Sequence, residues 1–196
     1  MKFEIFEIGK KSYLNENFVV YSLFSIAFIG VLISALTDSK SFETYFQMII
    51  YFNLILIIYF KVTQRSRYER LNEKLLGSII FQDNQILVLN TVINLTEISK
   101  IDFTFINFSG KHNINLRWDL SPALSQGIDN IVKIVLLNGK TFRFNLKLNY
   151  ENHEKVLKDI LIEYMNNDKI SVLRVTDILG IKNYNEIQDF KKKYLR

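Results

Sequence analysis

Residues 18–36 read FVVYSLFSIAFIGVLISAL, without a single charge. As a helix rising 1.5 Å per residue this run covers about 28 Å, close to the roughly 30 Å hydrocarbon thickness of a bilayer. A second uncharged run, residues 45–60 (YFQMIIYFNLILIIYF), follows after the polar connection TDSKSFET at 37–44. Tyr45, Tyr51 and Tyr59 enrich it in the aromatic side chains that favour membrane interfaces. Neither run has the polar face that an amphipathic helix of a soluble core keeps. A cleaved signal peptide would start its apolar core earlier and keep it shorter. The pair reads as a transmembrane helical hairpin.

Outward from the hairpin, charge sets the expected orientation. Lys2, Lys10 and Lys11 precede the first helix, and Lys61, Arg65, Arg67, Arg70 and Lys74 follow the second. The connection holds only Lys40 against Asp38 and Glu43. Positive residues stay inside, so both termini are expected in the cytoplasm. Heavy use of Asn, Ile and Lys resembles an AT-rich bacterial coding sequence; with the hairpin, the expected location is a bacterial inner membrane. Arg65, Arg67, Arg70 and Lys74 are the membrane-surface candidates, each contributing about 1 kcal/mol near anionic lipid. Asn53, amid the second helix, is the candidate intramembrane polar contact, an amide worth roughly 0.6–2 kcal/mol. Its expected partner is a first-helix hydroxyl, Ser22 or Ser25; a polar seam for oligomers or a pore is the other reading.

Composition removes several chemistries. With no cysteine, disulfides, thiolate zinc sites and cysteine nucleophiles are excluded. His112 and His153 are too few for an ordinary catalytic zinc site. A net charge of +5 falls short of a nucleic-acid footprint.

From residue 75 the period shortens to that of strands. Expected strands are 77–81, 86–90, 92–95, 98–106, 113–118, 131–137 and 141–148, with turns at 82–85 and 109–111. Asn138-Gly139 closes the clearest hairpin. A helix follows, capped by Asn149 with Glu151 and Glu154 in its first turn; His153, Leu157, Ile160, Leu161 and Tyr164 form its stripe. Residues 171–179 are ambiguous. Asn183 to Glu186 has the form of a capping box opening a last helix through Tyr194, with Ile187, Phe190 and Tyr194 as its apolar face.

Seven antiparallel strands closed by one amphipathic helix is the order of a pleckstrin-homology-like (PH-like) barrel. The sequence resembles the bacterial PH-like domains attached to transmembrane hairpins in Gly77-x-Ile79-x-Phe81, Ile86-x-Val88, Ile93-x-Leu95-x-Glu97-Ile98-x-Lys100-Ile101, and Asn138-Gly139 followed by Phe142-x-Phe144. The resemblance covers residues 75–165. It implies a membrane-anchored α+β protein: a cytoplasmic segment 1–17, a transmembrane hairpin 18–61, a basic linker 62–74, a seven-stranded barrel with its closing helix 75–166, and a helical tail 167–196. The layout is also similar to anti-phage membrane effectors, in which two transmembrane helices precede a β-barrel that senses a cyclic nucleotide.

Chemistry is sparse. Gly139-Lys140-Thr141 lacks the earlier glycine of a phosphate loop, because position 134 is Ile134. The first hairpin turn, Gln82 to Gln85, carries no positive charge, a departure from the headgroup site of eukaryotic PH domains. Glu97, Asp102 and Asp129 are scattered. Arg117 and Trp118, before the loop 119–130, are the candidate ligand or partner surface, although Trp118 also reads as a barrel residue. The expected function is a non-enzymatic module without cofactor or metal, binding a protein or peptide beside its closing helix or along a strand edge. Its expected partners are the bilayer and a protein or second copy, not nucleic acid. The alternative is a ligand-gated effector that disrupts the membrane.

Overall fold

Lys2-Phe3-Glu4-Ile5-Phe6 alternates polar and apolar side chains, the period of a half-buried strand, and it forms the first strand, β1 (Lys2–Phe6). In chain order there follow α1 (Glu16–Thr37), α2 (Lys40–Thr63), β2 (Leu75–Phe81), β3 (Gln85–Val88), β4 (Thr91–Asn94), β5 (Ile98–Thr104), β6 (Ser109–His112), β7 (Leu124–Gln126), β8 (Asn130–Leu136) and β9 (Thr141–Leu146). Three helices end the chain: α3 (Lys158–Asn166), α4 (Val172–Ile178) and α5 (Tyr184–Tyr194). This is a computed structural model that describes residues 1–7, 15–37, 40–71, 73–113 and 119–195, with Ser41 and Phe42 as backbone only. The chain divides into two units: residues 1–10, 73–111 and 125–196 form the sheet unit, and 11–72 with 112–124 form the helical unit.

The sheet unit is built on one antiparallel sheet of seven strands in the order β4-β3-β2-β1-β9-β8-β5. Two expectations change here. The sheet is not closed, so the architecture is an open sheet with helices rather than a barrel. The seventh strand is β1, from the segment expected to lie outside the domain. It pairs with β2 (Phe3↔Ile79, Phe6↔Leu75) and with β9 (Ile5↔Leu146). Ser109 to Lys111, expected as a turn, belongs to β6, which with β7 forms a separate two-stranded sheet. The expected strand 113–118 lies, apart from Asn113, outside the described residues.

One face of the large sheet is apolar and covered. Phe3, Ile5, Ile79, Phe81, Ile134 and Leu146 are buried together with Leu157, Leu161 and Tyr164 from the C-terminal helical segment. The Tyr164 hydroxyl donates to the Gln82 carbonyl at 2.8 Å, giving a buried ring a satisfied polar tip. The closing helix starts later than expected: His153–Leu157 is a 3₁₀ turn, and α3 follows it. The Asn149 side chain does not cap it; instead its backbone N–H donates to His153 Nδ1 at 3.2 Å. Asn183 does cap α5, accepting from the Asn185 N–H at 2.9 Å. The β8–β9 turn also follows the sequence. Gly139 adopts φ +82°, a conformation that glycine takes without a Cβ penalty, and the Lys140 N–H donates to Asn138 Oδ1.

In the helical unit, α1 and α2 pack along facing stripes spaced by threes, fours and sevens. The buried positions of α1 include Val20, Ala27, Gly30 and Ser34; Phe46, Asn53, Phe60 and Gln64 on α2 and just beyond it are buried or half-buried. A Cβ at Gly30 would overlap the Phe46 ring, so glycine lets the helices approach. The outward faces of both helices are exposed and apolar, Phe28, Leu32, Tyr51 and Ile55 among them. Both helices are long and apolar enough to cross a membrane, about 33 Å for the 22 residues of α1.

Ile5, fully buried in a central strand, tests the placement of β1. Ile5→Ala is expected to destabilise the sheet unit by about 2–5 kcal/mol through lost burial and a residual cavity. Urea unfolding followed by tryptophan-independent circular dichroism reads this; a loss near zero would mean that β1 is peripheral.

Candidate binding cleft

The outer edge of β5 borders a concavity of the sheet unit. An edge strand presents unpaired main-chain groups that a protein normally covers. Here the segment after α3 covers part of them: the Ile101 N–H donates to the Lys169 carbonyl at 2.8 Å, and Lys169 Nζ donates to the Ile98 carbonyl at 2.8 Å. Ser171 then caps α4 through the Arg174 N–H, which turns the Arg174 side chain back on to the strand. Arg174 Nε donates to Asp102 Oδ1 at 2.8 Å and Nη1 to Asp177 Oδ2 at 3.0 Å. Its Nη2 reaches the Phe103 carbonyl and Thr104 Oγ1. A planar guanidinium suits this fork, which an ammonium cannot reproduce.

Beside this fork lies a cleft of about 350 Å³. Phe105 and Thr104 form its strand side, Asn152 and Lys155 contribute from the 3₁₀ turn region, and Ile178 and Lys182 from the end of α4 and the segment after it. Phe105 stacks on buried Phe103 with ring centroids 5.7 Å apart. Three cations (Lys155, Arg174, Lys182) and two carboxylates (Glu154, Asp177) line the cleft. Among the described residues no group of three His, Asp or Glu is placed to hold a metal. The arrangement offers charge and an aromatic wall.

His153 sits at the base of the 3₁₀ turn, its ring 5.0 Å from Phe3 and 4.4 Å from Tyr150. Burial pushes its pKa below the ordinary 6.5, partly opposed by the Glu154 charge. The hydrogen bond from the Asn149 N–H to Nδ1 also needs that nitrogen unprotonated.

The residues singled out from sequence lie elsewhere. Arg65, Arg70 and Lys74 are exposed, whereas Arg67 is half-buried and engaged with neighbouring groups. Its guanidinium is 3.3 Å from buried Glu16, donates to the carbonyls of Phe60 and Leu120, and lies over the Phe60 ring. The same cluster anchors residues 119–124: Lys61 and Gln64 donate to the Asp119 carbonyl, and Asn17 to the Asp119 carboxylate. Burial would raise the Asp119 pKa, but the hydrogen bonds from Asn17 and Ser121 and the Lys61 charge outweigh it and hold it below the usual carboxylate value. Asn53 is fully buried, as an interhelical contact should be, yet its Nδ2 donates to the Val20 main-chain carbonyl at 3.0 Å. That partner replaces the expected Ser22 or Ser25 hydroxyl; Ser25 is occupied with the Tyr21 carbonyl of its own helix. Arg117 and Trp118 lie outside the described residues.

Sequence reasoning missed Arg174, Lys155 and Lys182. The signal available was Ser171 as a cap with Arg174 and Asp177 one turn apart, but the partners on β5 are some seventy residues away and no local pattern announces them.

Two measurements follow from this geometry. Arg174→Lys is expected to speed amide exchange along β5 by roughly tenfold, the equivalent of about 1.4 kcal/mol, with little change on β3; unchanged exchange on β5 would show that Arg174 does not secure that edge. For His153, the folded pKa lies below the unfolded 6.5, so its contribution to stability is complete above 6.5 and declines as pH falls from there through the folded pKa. His153→Gln should flatten that portion of the stability–pH curve, and an unaltered curve would show that His153 does not set it.

Comparison with protein-family models, curated proteins and solved structures finds no match to this chain.

Proposed function

We propose that the chain is a non-enzymatic binding module held in a bacterial inner membrane by α1 and α2, with its sheet unit in the cytoplasm and a segment of a partner protein received in the cleft beside Arg174. The observation that carries this reading is the combination of two outwardly apolar helices with a cleft whose lining offers charged and aromatic contacts.

Connectivity supports the membrane arrangement independently of charge. Phe6 pairs with Leu75, so the chain leaves the sheet, runs through both helices and returns to the adjacent strand. An even number of crossings is required, and two helices supply it. The bias of Lys and Arg to the flanks then supports a cytoplasmic position for both of them. Apolar side chains on all sides of the helix pair suit lipid, since a soluble hairpin keeps one face polar.

The chain has no native cysteine, which makes topology directly testable. In intact cells, Lys40→Cys is expected to react with a membrane-impermeant maleimide and Leu195→Cys only after permeabilisation; the reverse pattern overturns the orientation. For the cleft, a photo-crosslinking residue at Lys182 is expected to trap a protein partner in cells, whereas the same residue at Lys140, on the β8–β9 turn, is not. Equal adducts at both positions, or none at either, would remove the basis for the cleft as a binding site.

A further inference from the structure

The cover on the β5 edge stops short of Phe105, the residue that follows the strand and lines the cleft. Ile101 and Phe103 direct main-chain groups away from β8, toward Lys169 and Arg174 respectively. Phe105, the next residue of the same parity, also lines the cleft. Among the described residues neither its N–H nor its carbonyl has a hydrogen-bond partner. Unpaired main-chain groups at a sheet edge are a template for an added strand.

Charge describes what such a strand would carry. Arg174 is shared between Asp102 and Asp177, so it has no uncommitted charge to offer a ligand. Lys155 and Lys182 are both exposed, and among the described residues neither has a carboxylate within ion-pair distance. Glu154 is the carboxylate of the lining outside that pairing. The cleft thus keeps two uncommitted ammonium groups beside an open pair of main-chain groups and an aromatic wall.

We propose that the cleft takes an extended acidic peptide segment, whose main chain pairs with Phe105 and whose carboxylates meet Lys155 and Lys182. Main-chain pairing supplies affinity without regard to sequence, and side chains at alternate positions supply the preference. The ammonium groups act chiefly on specificity and association rate, and their effect weakens as salt rises. This inference rests on the reading of the cleft as a site for a protein segment, and narrows it to one chemistry.

A display library of random short peptides, selected on the full chain in nanodiscs and counter-selected on empty nanodiscs, tests both separately. The expected result is recovery of peptides enriched in Asp and Glu and poor in Pro. A recovered peptide should bind K155E/K182E more weakly by on the order of tenfold, as expected for reversing two surface charges. Methylation of a backbone nitrogen at a pairing position should abolish binding. Recovered peptides without acidic enrichment, or insensitive to K155E/K182E, overturn the acidic preference while leaving peptide binding intact. Acidic peptides that tolerate every backbone methylation overturn the added strand. No enrichment over empty nanodiscs overturns both the inference and the cleft reading beneath it.

Discussion

The pairing of β1 with β2 on one side and β9 on the other is the constraint on which the sheet unit depends. Without those five residues the ordered strands fall into two groups, β4-β3-β2 and β9-β8-β5, and the sheet core loses its middle. Phe3 and Ile5 then supply the side chains that join the two halves, since both are buried among residues of β2, β9 and the closing helical segment. Fully burying one such side chain contributes roughly 1.5–3 kcal/mol, a sizeable part of the marginal stability of an ordinary domain.

The helical unit obeys a different balance. Its outer surface is apolar, so within lipid the association of α1 with α2 depends on close packing and a few polar contacts rather than on water exclusion. Gly30 against Phe46 provides the close approach, and Asn53 on the Val20 carbonyl the polar contact. At the end of the pair, Glu16 is nearly buried between Arg67 and the more exposed Arg70. A partly buried ion pair of this kind contributes little net energy, but removing one partner strands the other charge. Its role is therefore one of arrangement: it brings the start of α1 to the segment after α2.

How much of this was legible in the sequence follows from the range of each interaction. The two helices, the Asn138-Gly139 turn and the Asn183 cap are local and were readable, as were six of the seven sheet strands. β1 was not, because a five-residue alternation is weak evidence alone and its partners lie far along the chain. Closure was misjudged for a related reason: strand order in sequence does not fix which strands pair once β1 enters between β2 and β9. The contacts of Arg67 with Glu16 and Leu120 were not legible, because those partners lie some fifty residues away along the chain. The cleft was illegible because Arg174, in a stretch whose period was ambiguous, acts through Asp102 and Phe103 on a distant strand.

The tie between Glu16 and Arg67 also bears on the order in which the chain acquires its fold. Pairing β1 with β2 requires closing the whole stretch between Phe6 and Leu75, and the entropy lost in closure grows with the length of free chain. Once α1 and α2 have packed, most of that stretch is no longer free, and only the short connectors on either side remain to be ordered. Helix pairing thus lowers the entropic barrier to a contact of otherwise long sequence separation, the kind that slows folding. Substitutions that loosen the hairpin, such as a bulky residue at Gly30, would accordingly be felt as slower assembly of the sheet.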